Sequence, residues 1–284
     1  MKPYFQNGLV TLYHGDCFTI MPELAPCALD MVCTDPPYGV TKCDWDRPID
    51  YSVFFDRIQN LVKRNAAIAI FSQMPVCVDV INANRRNFRY EIVWRKSQPL
   101  GFLNAKKMPL RAHENILIFY GALPTYNPQK SKQAAKSRVR HNVNGKKQER
   151  FLGRKRGNSE WKRKGGFYGP VLSPGIPDTY EYIEDGTRYP TDVVEFSNWN
   201  GMLFGKPKES SHPTQKSAPL LEYLIRTYTN EGQIVLDPLA GSGSTGVAAM
   251  RQGRRCILIE MEEKYCEMAA RRMESADCAR GQNP

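Results

Sequence analysis

No stretch of the sequence stays apolar for anything near the roughly 18 residues that a membrane-spanning helix needs. The opening MKPYFQNGLVTLYHGD has a lone Lys2 and no apolar core ending in small residues, so nothing in it resembles a secretory signal. A soluble, cytoplasmic protein with no membrane partner is expected. The 8 cysteines include no C-x-x-C pair and no Cys/His cluster with zinc spacing. Reduced, mostly buried thiols follow, rather than a disulfide framework or a metal centre. No internal repeat is visible.

Acidic residues are nearly missing from one segment. Between residues 129 and 164, 14 basic residues stand against two acids, a local charge of +12, while the whole chain carries +11. The excess charge therefore sits in one place. Taken alone, a charge run is most often a solvated linker. Here aromatic residues flank it, and that combination favours phosphate contact by Lys130, Lys132, Lys136, Arg138, Arg140, Lys146, Lys147, Arg154, Lys155, Arg156, Lys162, Arg163 and Lys164.

Outside this segment the chain is periodic. LVTLY (9–13), LDMVCT (29–34), AAIAIFS (66–72), RYEIVW (89–94), NILIFY (115–120), QIVLDP (233–238) and RCILIE (255–260) read as strands. SVFFDRIQNLV (52–62), APLLEYLIRTY (218–228), STGVAAMRQ (244–252) and EKYCEMAARRM (263–273) read as helices. Alternation of this kind predicts an α/β protein with a mostly parallel sheet covered on both faces. From about 121 to 200 the periodicity dissolves into Lys, Arg, Gly, Pro and aromatics, and no core sheet is expected there.

VLDPLAGSGSTGVAA places Gly241, Gly243 and Gly246 between a strand and a helix, with Glu260 ending the next strand 19 residues after Gly241. Glycines at such a turn let backbone approach a nucleoside-bearing ligand, and a carboxylate at that distance can take ribose hydroxyls. A nicotinamide or flavin dinucleotide needs two mononucleotide halves, and only 24 residues follow Glu260. A cofactor with a single adenosine and no pyrophosphate fits better, and S-adenosylmethionine is the common one. A dinucleotide oxidoreductase is the weaker alternative.

VCTDPPYG (32–39) ends a strand on Asp35. Pro36 forces Asp35 to stay extended, and the locked φ angles of Pro36 and Pro37 fix the direction of the Pro36 carbonyl. A carboxylate and a carbonyl are thus held beside the Tyr38 ring. Two acceptors beside an aromatic suit a planar base with an exocyclic amine. Accepting both N–H bonds frees a lone pair otherwise delocalised into the ring, Asp35 stabilises the charge that grows on nitrogen, and Tyr38 stacks. No metal is required. A base inside a duplex must first be flipped out.

In TDPPYG (34–39), HPTQK (212–216), VLDPLAGSGSTGVAA (235–249) and RCILIEMEEKYCEMAARR (255–272), in that order, the sequence resembles the beta group of DNA amino-methyltransferases. The resemblance implies a Rossmann-like methyltransferase fold in two stretches, 1–120 and 201–284, with a target-recognition insertion at 121–200. It implies that Asp35, Pro36, Pro37 and Tyr38 hold the amine and base. Asp237, Leu239, Gly241, Gly243 and Thr245 then face the methionine end, and Glu260 takes the ribose. Thr214 and Lys216 sit near the methionine carboxylate, His212 is an organiser, and Asp16 lies near the adenine ring. Leu239 stands where the family usually has Phe, and Ser217 where it has Pro. His113 and Glu114 in RAHEN have no third ligand spaced with them and read as structural or base-pocket support. Cys27 after Pro26 could suggest a cytosine-C5 nucleophile, but that family has its cofactor loop first.

The expectation is transfer of a methyl group from S-adenosylmethionine to adenine N6 in DNA, with S-adenosylhomocysteine as product. In the family Asp at the first motif position goes with adenine and Ser with cytosine N4, which makes N4-cytosine the alternative. A catalytically silent DNA-binding protein on the same fold is a second alternative. The family's tendency to homodimers carries over as an expectation.

Overall fold

The computed structural model describes residues 1–39, 46–132, 187–198 and 216–281. Its strands are β1 (Phe5–Gln6), β2 (Val10–His14), β3 (Leu29–Thr34), β4 (Val62–Ser72), β5 (Phe88–Leu100), β6 (Arg111–Phe119), β7 (Ser131–Lys132), β8 (Thr187–Arg188), β9 (Val193–Phe196), β10 (Ile234–Asp237) and β11 (Arg255–Glu260). Its α-helices are α1 (Cys17–Ile20), α2 (Tyr51–Leu61), α3 (Val76–Ala83), α4 (Ala218–Tyr228), α5 (Ser244–Arg251) and α6 (Glu263–Gly281). Two compact units emerge, one of residues 1–129 and 189–284, the other of residues 130–188. In the smaller unit the described residues form the short antiparallel pair β7 and β8.

The larger unit is built on a nine-stranded sheet of order β1-β2-β11-β10-β3-β4-β6-β5-β9. Strands β2, β11, β10, β3 and β4 are mutually parallel, whereas β6 runs antiparallel between β4 and β5. The alternation of side chains along each strand separates two cores. Met31, Cys33, Ala67, Ala69, Val235 and Leu258 face α4, α5 and α6. Val32, Ile68, Ile70, Leu236 and Ile259 face α1, α2 and α3. All of β3 is buried, which is why LDMVCT reads as an apolar run rather than an alternation.

The helices follow from local chemistry. Leu220, Leu221, Leu224, Ile225 and Tyr228 recur at helical spacing and form the buried stripe of α4. Asp50 caps α2 by accepting from the Ser52 and Val53 amides. Helix α3 carries no helical signal in its sequence, since VCVDVINA is rich in β-branched residues and weak in helix propensity. Burial of Cys77 and Val80 under the sheet supplies what propensity lacks.

Residues 121–200 were expected to hold no core sheet, yet β9 pairs in parallel with β5 and closes the main sheet, with Val194 buried. Its VVEF is too short to register as a strand beside the irregular stretch before it. Among the described residues no helix is long and apolar enough to cross a membrane, and no group of His, Cys, Asp and Glu could hold a metal ion.

Candidate active site

The chain leaves β3 for β4 on one side, while β10 and β11 lie on the other. The carboxyl ends of β3 and β10 therefore diverge into a crevice of the kind where open α/β sheets bind ligands. A cavity of about 1080 Å³ occupies it. Asp16, Leu239, Gly241, Ser242, Glu260 and Tyr265 line one end; Trp94, Lys96, Arg111, His113 and Glu114 line the other; Asp35, Pro36, Pro37, Tyr38 and Lys216 also line it.

The glycine loop is held from below. Asp237, at the end of β10, is 4 % exposed. Its Oδ1 accepts from Thr34 Oγ1 at 2.8 Å and from the Leu239 amide at 3.2 Å, and its Oδ2 accepts from Thr245 Oγ1 at 2.6 Å. Burial pushes this carboxyl up to about 6 despite those bonds. Asp237 and Thr245, expected at the cofactor, both line the cavity and also clamp the loop between β3, β10 and α5. Gly243 is not among the lining residues. It stands at φ 73°, and a Cβ there would meet the Ala269 Cβ at 2.7 Å, so its lack of a side chain serves the turn and the seat of α6.

Glu260 is the adaptable member. Its Oε2 accepts from the Gly241 amide at 2.7 Å and its Oε1 from the Glu262 amide at 2.8 Å, which leaves further lone pairs on both oxygens for hydroxyls. Burial raises its pKa. Asp16 caps α1, accepting from the Phe18 amide at 3.2 Å and Thr19 Oγ1 at 3.3 Å. Two anchored carboxylates with apolar Leu239 and Ile259 beside them fit the hydroxyls, amino edge and ring of an adenosine.

Lys216 was expected at the methionine carboxylate; its Nζ lies 2.9 Å from Asp35 Oδ2 and 3.0 Å from Glu114 Oε2. Lys96 Nζ closes the chain on Glu114 Oε1 at 2.5 Å. Four charges therefore alternate in sign, Asp35, Lys216, Glu114, Lys96, with the last three 11 %, 11 % and 5 % exposed at the side chain. Such a row is tolerable in a low dielectric because every charge has an opposite neighbour. The Tyr38 hydroxyl donates to Asp35 Oδ1 at 2.6 Å. Lys216 Nζ also lies 5.3 Å from the Phe71 ring centre and 5.7 Å from that of Tyr38.

The network sets the protonation states. Burial raises the Asp35 carboxyl, opposed by Lys216 and reinforced by Glu114. For Glu114 burial pulls upward, but the two ammonium groups win and hold it below its usual value. Burial would lower Lys216, and the two carboxylates reverse that. Lys96 is lowered by burial in spite of Glu114.

Glu114 lines the cavity as base-pocket support would. Lys96, Trp94, Gln73 and Asn198 line it too, and no motif marks them. His212 and Thr214 lie outside the described residues, as do all the expected DNA-contacting residues from Lys136 to Lys164. Lys130 is exposed, and Lys132 lies in β7.

A type II methyltransferase of Streptococcus pneumoniae, M2.DpnII, is 27 % identical over 96 % of this chain and 93 % of its own length. The DNA adenine methyltransferase YhdJ of Escherichia coli is 25 % identical over 96 % and 85 %. Among solved structures, the M1.HpyAVI–SAM complex covers 93 % of this chain and 100 % of its own, with a TM-score of 0.56 at 22 % identity. The cytosine-N4-specific PvuII DNA methyltransferase covers 98 % and 93 %, with a TM-score of 0.62 at 16 % identity, a likeness of fold. The profile of the N6/N4 family, described as DNA methylase, matches residues 29–271, from the start of β3 into α6, and the chain belongs to that family of DNA amino-methyltransferases.

Proposed function

We propose that this protein methylates the N6 amine of a specific adenine in DNA, using S-adenosylmethionine, as a cytoplasmic enzyme acting on a flipped base. The observation that carries the reading is Asp35: a half-buried, ion-paired carboxylate in the same cavity as a carboxylate-lined end that suits a nucleoside and an aromatic-lined end. The name of the YhdJ relative and the Asp that opens DPPY favour adenine over cytosine N4.

When bound, S-adenosylmethionine supplies an electrophilic methyl group and leaves as S-adenosylhomocysteine. Glu260 and Asp16 take its ribose and adenine end. Asp35 accepts one N–H of the target amine and Pro36 the other, while Tyr38 covers the base. The Tyr38 hydroxyl, a donor 2.6 Å from Asp35 Oδ1, stands where an amine N–H is to come. With the methyl group passing to the amine, Asp35 would stabilise the positive charge that develops on nitrogen, in a site where fixed charges count for more than in water. Its raised proton affinity suits the carboxylate to receive the proton that nitrogen then sheds. Lys216 keeps Asp35 ionised beforehand, and Glu114 with Lys96 holds Lys216 in place. Residues 121–200, with the basic stretch, supply the DNA contacts that select the site, and the active form is a homodimer.

The test is methyl transfer from labelled S-adenosylmethionine to unmethylated genomic DNA, nucleoside digestion with mass spectrometry, and sequencing of the modified sites. N6-methyladenine at one recurrent sequence is expected. N4-methylcytosine would move the assignment to the alternative, and no methylated nucleoside from a protein that binds the cofactor would overturn it.

A further inference from the structure

We propose that the tip of the β5–β6 hairpin is a wedge that enters the DNA duplex and fills the space the target base leaves. The inference rests on the DNA-methylating function proposed above. The tip is a built structure: Gly101 at φ 91° opens a short 3-10 turn over Phe102–Asn104, and the Lys107 and Met108 amides donate to the Asn104 carbonyl at 2.8 and 3.0 Å. Among what it presents outward are large apolar side chains. Phe102 is 79 % exposed, Leu103 98 % and Met108 55 %.

Position ties this tip to the site. Strand β5 runs parallel to β3 and β4 through the intervening antiparallel β6, so its end at Leu100 emerges on the carboxyl edge of the sheet, where the cavity opens. The two stems of the hairpin, through Gln98, Leu100, Arg111 and His113, line that cavity. The register slips between Arg95 and Leu100, putting extra residues on the β5 side of the hairpin.

Charge selects the occupant. From Arg95 to His113 there is no Asp or Glu, and Lys106 and Lys107 stand exposed beside Leu103 and Met108. Apolar side chains between cations suit a polyanion with a stack of planar bases inside, and apolar wedges between base steps are a general means of unstacking DNA. A second copy of this chain would bring the same cations against these.

The experiment uses a duplex carrying the enzyme's own recognition sequence and a second duplex with a mismatch at the target base, which removes most of the unstacking cost. For the Phe102→Ala/Leu103→Ala variant, kcat/KM is expected to fall on the order of tenfold or more on the matched duplex and to stay near wild type on the mismatched one. S-adenosylmethionine affinity and molecular mass in solution should not change. A companion Lys106→Ala/Lys107→Ala variant should weaken DNA affinity and flatten its salt dependence while leaving the matched-to-mismatched ratio alone. Equal losses on both duplexes, no loss on either, or a changed oligomeric state in the Phe102→Ala/Leu103→Ala variant would overturn the wedge. A wild-type enzyme that methylates neither duplex would overturn the proposed function, and the wedge with it.

Discussion

Replacing Lys216 by Met should make Asp35 harder to ionise, and the size of the effect can be worked from the network. Burial already holds the Asp35 carboxyl above its usual value, and Lys216, 2.9 Å away, is the largest influence pulling it back. A hydrogen bond to a charged group contributes about 1.5–3 kcal/mol. Its loss therefore disfavours the Asp35 carboxylate and moves the carboxyl further up. In the proposed mechanism the carboxylate is the form that accepts the amine, so about 1.5–3 kcal/mol corresponds to a rate about 10- to 100-fold lower on the acid side of the wild-type limb, recovering as pH rises. Glu114→Gln acts in the opposite sense. It removes a like charge that raises Asp35, so the acid limb moves to lower pH. Should the unpaired Lys96 prevent folding, the Lys96→Met/Glu114→Gln double variant leaves the Asp35–Lys216 pair intact and keeps the sign. The assay is kcat/KM for methyl transfer against pH, with cofactor affinity from calorimetry. Limbs that stay put, or that move the same way in both variants, would refute the reasoning. A Lys216→Met protein with an unmoved limb and lost cofactor affinity would return Lys216 to the methionine carboxylate.

Gly243→Ala should destabilise the fold by about 2–4 kcal/mol, combining left-handed backbone with a clash on Ala269, and denaturant unfolding will read it. Asp237 predicts an inverted pH dependence. Its folded-state value of about 6 exceeds the ordinary 3.8, so its contribution is full below 3.8 and is lost as pH rises through 6. That loss amounts to about 3 kcal/mol at pH 7, and Asp237→Asn should remove this slope from the denaturation midpoint measured between pH 4 and 7. If the basic stretch meets phosphates, Arg154→Ser/Lys155→Ser/Arg156→Ser should reduce the slope of log affinity against log salt by about 2–3, with cofactor binding unchanged. An unaltered slope would put the phosphate contacts elsewhere.

Local chemistry made much of this protein legible in sequence. The glycine turn, the strand-ending Asp237 and Glu260, and Asp35 locked by two prolines are short-range patterns, because backbone geometry there is set by the residues themselves. Helices such as α4 announced themselves through an apolar stripe, and the buried β3 through its unbroken apolar run. The helix α3 and the strand β9 did not, since each depends on what it packs against or pairs with.

The site divides along the same line. Sequence alone determined which residue types the motifs carry and in what order the motifs come. Tertiary structure decided their company. Lys216 and Glu114 are 102 positions apart, and Lys96 and Glu114 are 18 apart. Glu114 comes to Lys96 because β5 and β6 pair with Trp94 opposite Glu114 and Arg95 opposite His113. No local pattern encodes such a row of charges. Each ionised side chain is tolerable in the interior only through partners that the assembled sheet brings to it, and the order of strands, not the order of residues, decides which partners those are.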